Sequence, residues 1–220
     1  AVNCEHPVGG DPCNACAACR GILDGSVLDV TEIDAASNNG VDNIRDLRDE
    51  TRYTPAQVKK RVFIIDEVHM LSIGAFNALL KTLEEPPGHV LFILATTELH
   101  KVPATILSRC QRFDFRRIGA EDIARRLLDV ADGEGIGLTE GAARLIARLA
   151  DGAMRDALSM LDRAAAAGAV DEQSVTAALG VLGQDDGIHL AEHLKNGDLA
   201  AAVGLLDEYY NAGRDLAAVY

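Results

Sequence analysis

The sequence has no Trp, and its aromatic side chains are only five Phe and four Tyr. Modules that bind single-stranded nucleic acid by stacking need such rings, so this scarcity argues against one. Basic residues are scarce as well: 21 Lys and Arg against 34 Asp and Glu give a formal net charge of −13. A chain this acidic is not a general polyanion binder, and any nucleic-acid contact has to run through a local patch or through partners. No apolar run approaches the roughly 20 residues of a bilayer span. The start, Ala1-Val-Asn-Cys-Glu-His6, lacks the basic and apolar regions of an export signal. Repeats and low-complexity linkers are missing too, and so is any phosphate-cradling G-x-x-x-x-G-K-[ST]. The first residue is Ala1 rather than Met, so a piece of a longer protein is expected. What remains is globular usage, 48% hydrophobic and 25% charged over 220 residues. That is enough for one large domain or two to three small ones.

Continuous apolar runs at Leu28–Ile33, Val62–Ile65 and Val90–Ala95 read as buried parallel strands. Helical patterns at Val41–Tyr53 and Ile73–Leu83 lie between them, which implies a parallel sheet of the α/β class. A short fourth strand is expected at Phe113–Phe115, after a helical turn from Pro103 to Leu107. Beyond about residue 118 the period changes to 3.6, with helices expected at Ile123–Leu128, Ala142–Leu149, Met154–Ala165 and Gln173–Leu179. Thr139 and Asp171 stand as N-caps for two of them. Further helices are expected at Ile188–Leu194, Leu199–Tyr209 and Asp215–Tyr220. The apolar face from Leu199 to Tyr210 would be either a packing surface or ordinary core.

Cys4, Cys13, Cys16 and Cys19 have the spacing C-x8-C-x2-C-x2-C. Tetrahedral zinc needs four soft ligands converging, and C-x2-C steps let a turn present successive thiolates. A structural Zn2+ is therefore expected, with disulfide or redox roles as the alternatives. Four thiolates close the site, so an open catalytic position is not expected. His6 could replace a cysteine or simply face solvent, and Cys110, standing alone, reads as a small core residue.

The run Val62-Phe-Ile-Ile-Asp66-Glu67-Val-His69 is an apolar strand ending in two carboxylates. Ligands of open parallel sheets bind at the C-terminal strand ends. An Asp there can hold Mg2+, and a neighbouring Glu can polarise a water that attacks phosphate. Asp-Glu after a strand is also an ordinary helix-start signal. Three other stretches fit the first reading: Leu94-Ala-Thr96-Thr97-Glu98, Ser108-Arg109-Cys110, and Gly152-Ala-Met-Arg155-Asp156.

Taken with Glu32-Ile-Asp-Ala-Ala-Ser37, Ile65-Asp-Glu-Val-His-Met-Leu71, Phe76-Asn-Ala-Leu-Leu-Lys-Thr-Leu-Glu-Glu-Pro-Pro87, Thr105-Ile-Leu-Ser-Arg-Cys110 and Met154-Arg-Asp-Ala-Leu158, these stretches carry a close resemblance. From Cys4 to about Leu182 the chain resembles the gamma/tau family of bacterial DNA polymerase III clamp-loader subunits, of the AAA+ ATPase class. The resemblance implies a parallel-sheet nucleotide-binding domain over residues 1–118, truncated at its N-terminus and carrying a zinc module at 4–19. It implies a helical lid over 119–182 and the start of a helical oligomerisation collar over 183–220. Asp66 and Glu67 would be the Walker B magnesium and water-activating residues. Thr97 would be the sensor reading the γ-phosphate, and Arg109 a finger acting on ATP held by a neighbouring subunit. Arg155 would reach from the lid to the phosphates of its own subunit, and Cys4, Cys13, Cys16 and Cys19 would hold zinc. Implied partners are the other subunits of a hetero-oligomeric ring, the sliding clamp, primer–template DNA, and the polymerase core and helicase through a further tail. No membrane is implied, and the implied location is the bacterial cytoplasm, at the nucleoid-associated replisome.

The family's phosphate loop lies upstream of the zinc module, where this chain begins, so the chain by itself is expected to bind ATP poorly. Four residues are candidates for DNA contact: Ser37 and Asn39 before the Val41 helix, Arg45 on it, and Lys101. Ser-Asn-Asn-Gly is equally an ordinary cap and turn. The alternative function is a non-hydrolysing clamp-loader subunit with a structural role; such relatives tend to lose the Asp-Glu pair, which is present here.

Overall fold

A computed structural model of the chain describes residues 1–166, 168–180 and 184–211. The helix expected at Asp215–Tyr220, and the expected boundary at 182–183, lie outside the described residues. The chain divides into two compact units, Ala1–Phe113 and Asp114–Tyr220.

The first unit is built around β1 (Val30–Asp34), β2 (Arg61–Asp66) and β3 (Val90–Leu94), paired in parallel in the order β1-β2-β3. Helices α1 (Ala17–Leu23), α2 (Val41–Glu50), α3 (Ile73–Glu84) and α4 (Ala104–Leu107) accompany them. Period-two alternation decides which side of β2 carries the core. Phe63 and Ile65 are fully buried on one face, where they pack with Ile44 and Leu47 of α2 and Ala75, Phe76 and Leu79 of α3. Phe63 stacks on its register partner Phe92 at 5.5 Å between ring centroids. On the other face of β3, Leu91 and Ile93 are exposed. Cys110 is half-buried against the same core, as a small core residue should be.

The second unit is helical: α5 (Ala120–Glu134), α6 (Glu140–Leu149), α7 (Met154–Ala165), α8 (Glu172–Leu179), α9 (Gln184–Lys195) and α10 (Leu199–Asn211). Ile123, Leu127, Ile146, Leu161 and Val175 form its core. The two predicted caps are both made. Thr139 Oγ1 accepts from Ala142 N at 3.2 Å, and Asp171 closes a reciprocal capping box with Ser174. On α10, Tyr209 is buried, while Leu199, Val203 and Tyr210 are exposed.

Phe113–Phe115 is not a strand, contrary to expectation: the backbone is irregular there, and the two rings are 71% and 98% exposed. Three residues make few ladder bonds, and this segment pairs with neither of the two edge strands, β1 and β3. Leu28 likewise lies outside β1, in an exposed turn.

Candidate functional site

The first cluster is the group of free cysteines before and within α1. Cys16 is the N-cap of α1, its sulfur accepting from Cys19 N at 3.4 Å. The same device recurs upstream: Cys13 N donates to Cys4 Sγ and Cys16 N to Cys13 Sγ, both at 3.3 Å. These turns bring the four Sγ atoms within 4.8 Å of one another. Tetrahedral Zn–S bonds of about 2.3 Å imply S–S edges of about 3.8 Å, so the set fits such an ion with little contraction. Backbone N–H groups, led by those of Cys13, Ala15 and Glu5, hold the thiols of Cys4, Cys13 and Cys16 below their ordinary range. Burial, with the other thiols close by, pushes Cys19 up to about 12. A bound cation would remove the conflict, because it favours all four thiolates together. His6 is exposed and outside this group.

The second cluster sits at the C-terminal rim of the sheet. Asp34 and Asp66 are register partners at the ends of β1 and β2. Asp34 is committed to the turn that follows: it accepts from Ala36 N and Ser37 Oγ, both at 2.8 Å, and these bonds, Ser37's first, lower its carboxyl below the usual range. Asp66 is exposed, and its Oδ1 accepts from Glu67 N at 2.9 Å. Glu67 has φ of 47°, a left-handed conformation uncommon outside Gly, Asn and Asp. The twist swings its side chain toward the end of β3. There Glu67 Oε2 accepts from Thr97 Oγ1 at 2.9 Å and from Thr97 N at 3.3 Å. Asp66, Glu67 and Thr97 therefore share one rim.

The remaining predicted positions divide between the two units. Arg109, just beyond α4, is held by Thr105 O at 2.8 Å and Glu84 Oε1 at 3.0 Å, on the surface. Arg155 lies in the second unit, exposed on the first turn of α7. The turn before it needs Gly152: φ is +87°, and an added Cβ would stand 2.5 Å from Arg117 Cβ. Arg117 in turn pairs with Asp151 and donates to its carbonyl at 3.0 Å.

Of the candidate DNA contacts, Ser37 donates to Asp34, Arg45 pairs with Asp42 at 2.9 Å, and Lys101 pairs with Glu98 at 2.6 Å. Asn39 is exposed, its carbonyl accepting from Ser72 N at 3.1 Å. The N-terminus of α2 follows Gly40 with no side-chain cap.

Sequence reasoning missed His69 and Glu98 as members of the rim and Glu84 as the partner of Arg109. Their only signal was proximity to the motifs, since each pairing spans a long sequence separation.

Residues 1–119 match the family model described as DNA polymerase III, delta subunit, and residues 122–170 match the DNA polymerase III clamp loader subunit, ATPase lid domain. The chain is 54% identical over 218 residues to DNA polymerase III subunit tau of Bacillus subtilis, covering 98% of this chain and 38% of that protein. It is 45% identical over 209 residues to the tau subunit of Escherichia coli, covering 94% and 32%. It thus spans about a third of the length of these curated relatives. Among solved structures, the RuvB Holliday junction branch migration motor of Thermotoga maritima aligns with a TM-score of 0.53 at 16% identity, over 84% of this chain and 77% of that one, a likeness of fold alone.

Proposed function

The chain belongs to the DNA polymerase III clamp-loader family, in its gamma/tau branch and with an AAA+ fold, and from that premise we propose that its parent is the ATP-driven motor subunit of a bacterial clamp loader. In this reading the parent loads a sliding clamp on primed DNA, in a ring with other loader subunits. The observation that supports it best is the hydrogen bond from Thr97 to Glu67, beside Asp66. Magnesium-bound ATP supplies the phosphoryl group and the charge to be neutralised. Asp66 would hold the metal directly or through water. Glu67 would orient and accept a proton from the attacking water, and Thr97 would sense the γ-phosphate from the same oxygen. Charge spreading over the transferred group needs positioned cations more than covalent help. Arg109 would supply one to the neighbouring subunit and Arg155 one to its own. Cys4, Cys13, Cys16 and Cys19 would hold a structural zinc ion. Ser37, Asn39, Arg45 and Lys101 would face the DNA backbone. The 220 residues, which contain no G-x-x-x-x-G-K-[ST], would bind nucleotide weakly by themselves.

The test is ATP turnover by the full-length subunit assembled with its partners. Glu67→Gln is expected to lower kcat by about 10² to 10⁴, the range for removing a general base. Turnover within a few-fold of the parent's ends the reading.

A further inference from the structure

Arg109 follows Ser108, the C-cap of the short helix α4, and its guanidinium is already bound from two directions. Nη1 donates to Thr105 O at 2.8 Å and to Ser108 Oγ at 3.3 Å, while Nη2 donates to Glu84 Oε1 at 3.0 Å. Two elements thus grip one planar group: an open carbonyl of α4 and the last residue of α3. Both elements are seated in the same core, through Leu79 of α3 and Ile106 of α4, each 1% exposed. Cys110, the residue after Arg109, packs against that core as well. A side chain held between rigid elements keeps its direction better than one on a loop. The end of α3 adds to the grip, since the negative pole of a helix favours a cation. A guanidinium carries five N–H donors in a fixed fork, so three bonds set its plane without exhausting it.

Fold stability does not account for the pairing with Glu84. The side chains of Arg109 and Glu84 are 35% and 47% exposed, and ion pairs at such exposure add little to stability. Orientation does account for it. A loose arginine gives up rotamer freedom when it meets a phosphate, and that loss weakens the encounter. Here the freedom is already lost before any phosphate arrives. We propose that Glu84 is a positioning residue that pre-orients the Arg109 guanidinium for the triphosphate held by a neighbouring subunit, so that a carboxylate of one subunit sets the turnover of the next. The inference rests on Arg109 acting on the neighbour's ATP, and it adds the group that aims it.

The experiment uses the full-length subunit in its assembled loader and separates kcat from KM for ATP. Glu84→Ala is expected to lower kcat by about 10-fold, within the range for a misplaced group, with KM within about twofold. Glu84→Gln keeps an oxygen acceptor at the same reach and should recover most of that loss. In an Arg109→Ala background Glu84→Ala should cost nothing further, a non-additivity that a carboxylate supporting only the fold would not produce. Placed on a subunit whose own site is silenced by Glu67→Gln, Glu84→Ala should still slow the parental subunits beside it. Parental or faster turnover in Glu84→Ala overturns the proposal. So do equal losses in the two Arg109 backgrounds, or unslowed neighbours beside the silenced subunit. Arg109→Ala is the reference. If it lowers kcat while Glu84→Ala is silent, the inference alone fails; if it leaves kcat intact, the reading of Arg109 fails as well.

Discussion

Asn3 and Lys60 exchange two hydrogen bonds across 57 positions: Asn3 Nδ2 donates to Lys60 O at 2.9 Å, and Lys60 N donates to Asn3 Oδ1 at 2.8 Å. The amide imitates a strand neighbour for the residue before β2. Lys59 adds a bond from Nζ to the carbonyl of Cys4 at 3.1 Å. The cysteine module is thereby joined to the strand whose far end carries Asp66.

Asn3 is 3% exposed, and Asn3→Ala leaves the part-buried N–H and carbonyl of Lys60 without these partners. The expected cost is about 2 to 3 kcal/mol, read from a denaturant melt. Asn3→Asp, which keeps the acceptor but sets a buried carboxylate against the Lys60 carbonyl, should cost at least as much.

Metal removal should act through the same joint. One equivalent of zinc per chain is expected by elemental analysis of reduced protein, and its loss to a chelator should lower Tm. Metal binding requires thiolates and releases protons, so affinity should fall as pH drops. Chelation that leaves the melt unmoved would remove the metal from the account of folding.

Asp29 gives the clearest pH dependence. Burial pushes its carboxyl up, but the Arg61 guanidinium at 2.9 Å and the N–H groups of Gln57 and Ala56 outweigh it, and the net shift is down. A carboxyl depressed on folding stabilises the fold above its unfolded pKa of about 3.9. That contribution is lost as pH falls through the lower folded value. Asp29→Asn should therefore flatten the acid limb of stability below about pH 4. Arg61→Ala, which strands a nearly buried carboxylate, should cost about 3 to 5 kcal/mol near neutrality.

Gly152→Ala tests the turn that launches α7. A left-handed residue with a methyl group pressed on Arg117 should lose about 1 to 3 kcal/mol, seen as a lower Tm. Recovery in Gly152→Ala combined with Arg117→Gly would identify the clash rather than the backbone as its source.

The helical unit was the most legible part of the sequence. Its 3.6 periodicity and the Thr139 and Asp171 caps are local, and Met154–Ala165 formed with the bounds that periodicity suggested. Strands β2 and β3 were legible because each carries a continuous apolar run, Val62–Ile65 and Val90–Leu94. The cysteine spacing disclosed its cluster because turn geometry alone brings C-x2-C thiols together. Phe113–Phe115 misled because a strand depends on an edge that no local pattern reveals. His69 with Glu98, and Glu84 with Arg109, stayed hidden for a similar reason: each pair meets only after the chain has folded back across the sheet.

The left-handed backbone at Glu67 has a consequence for tolerance to change. It turns one carboxylate of a contiguous dipeptide sideways, so that two adjacent letters place their side chains at the ends of two neighbouring strands. Immediately afterwards Val68 N returns to the ladder by donating to Ala95 O at 2.9 Å, which locks the detour at a single residue. Inserting or deleting one amino acid here, whatever its polarity, would shift the phase of everything downstream and disband the rim, whereas many substitutions a turn away would pass unnoticed.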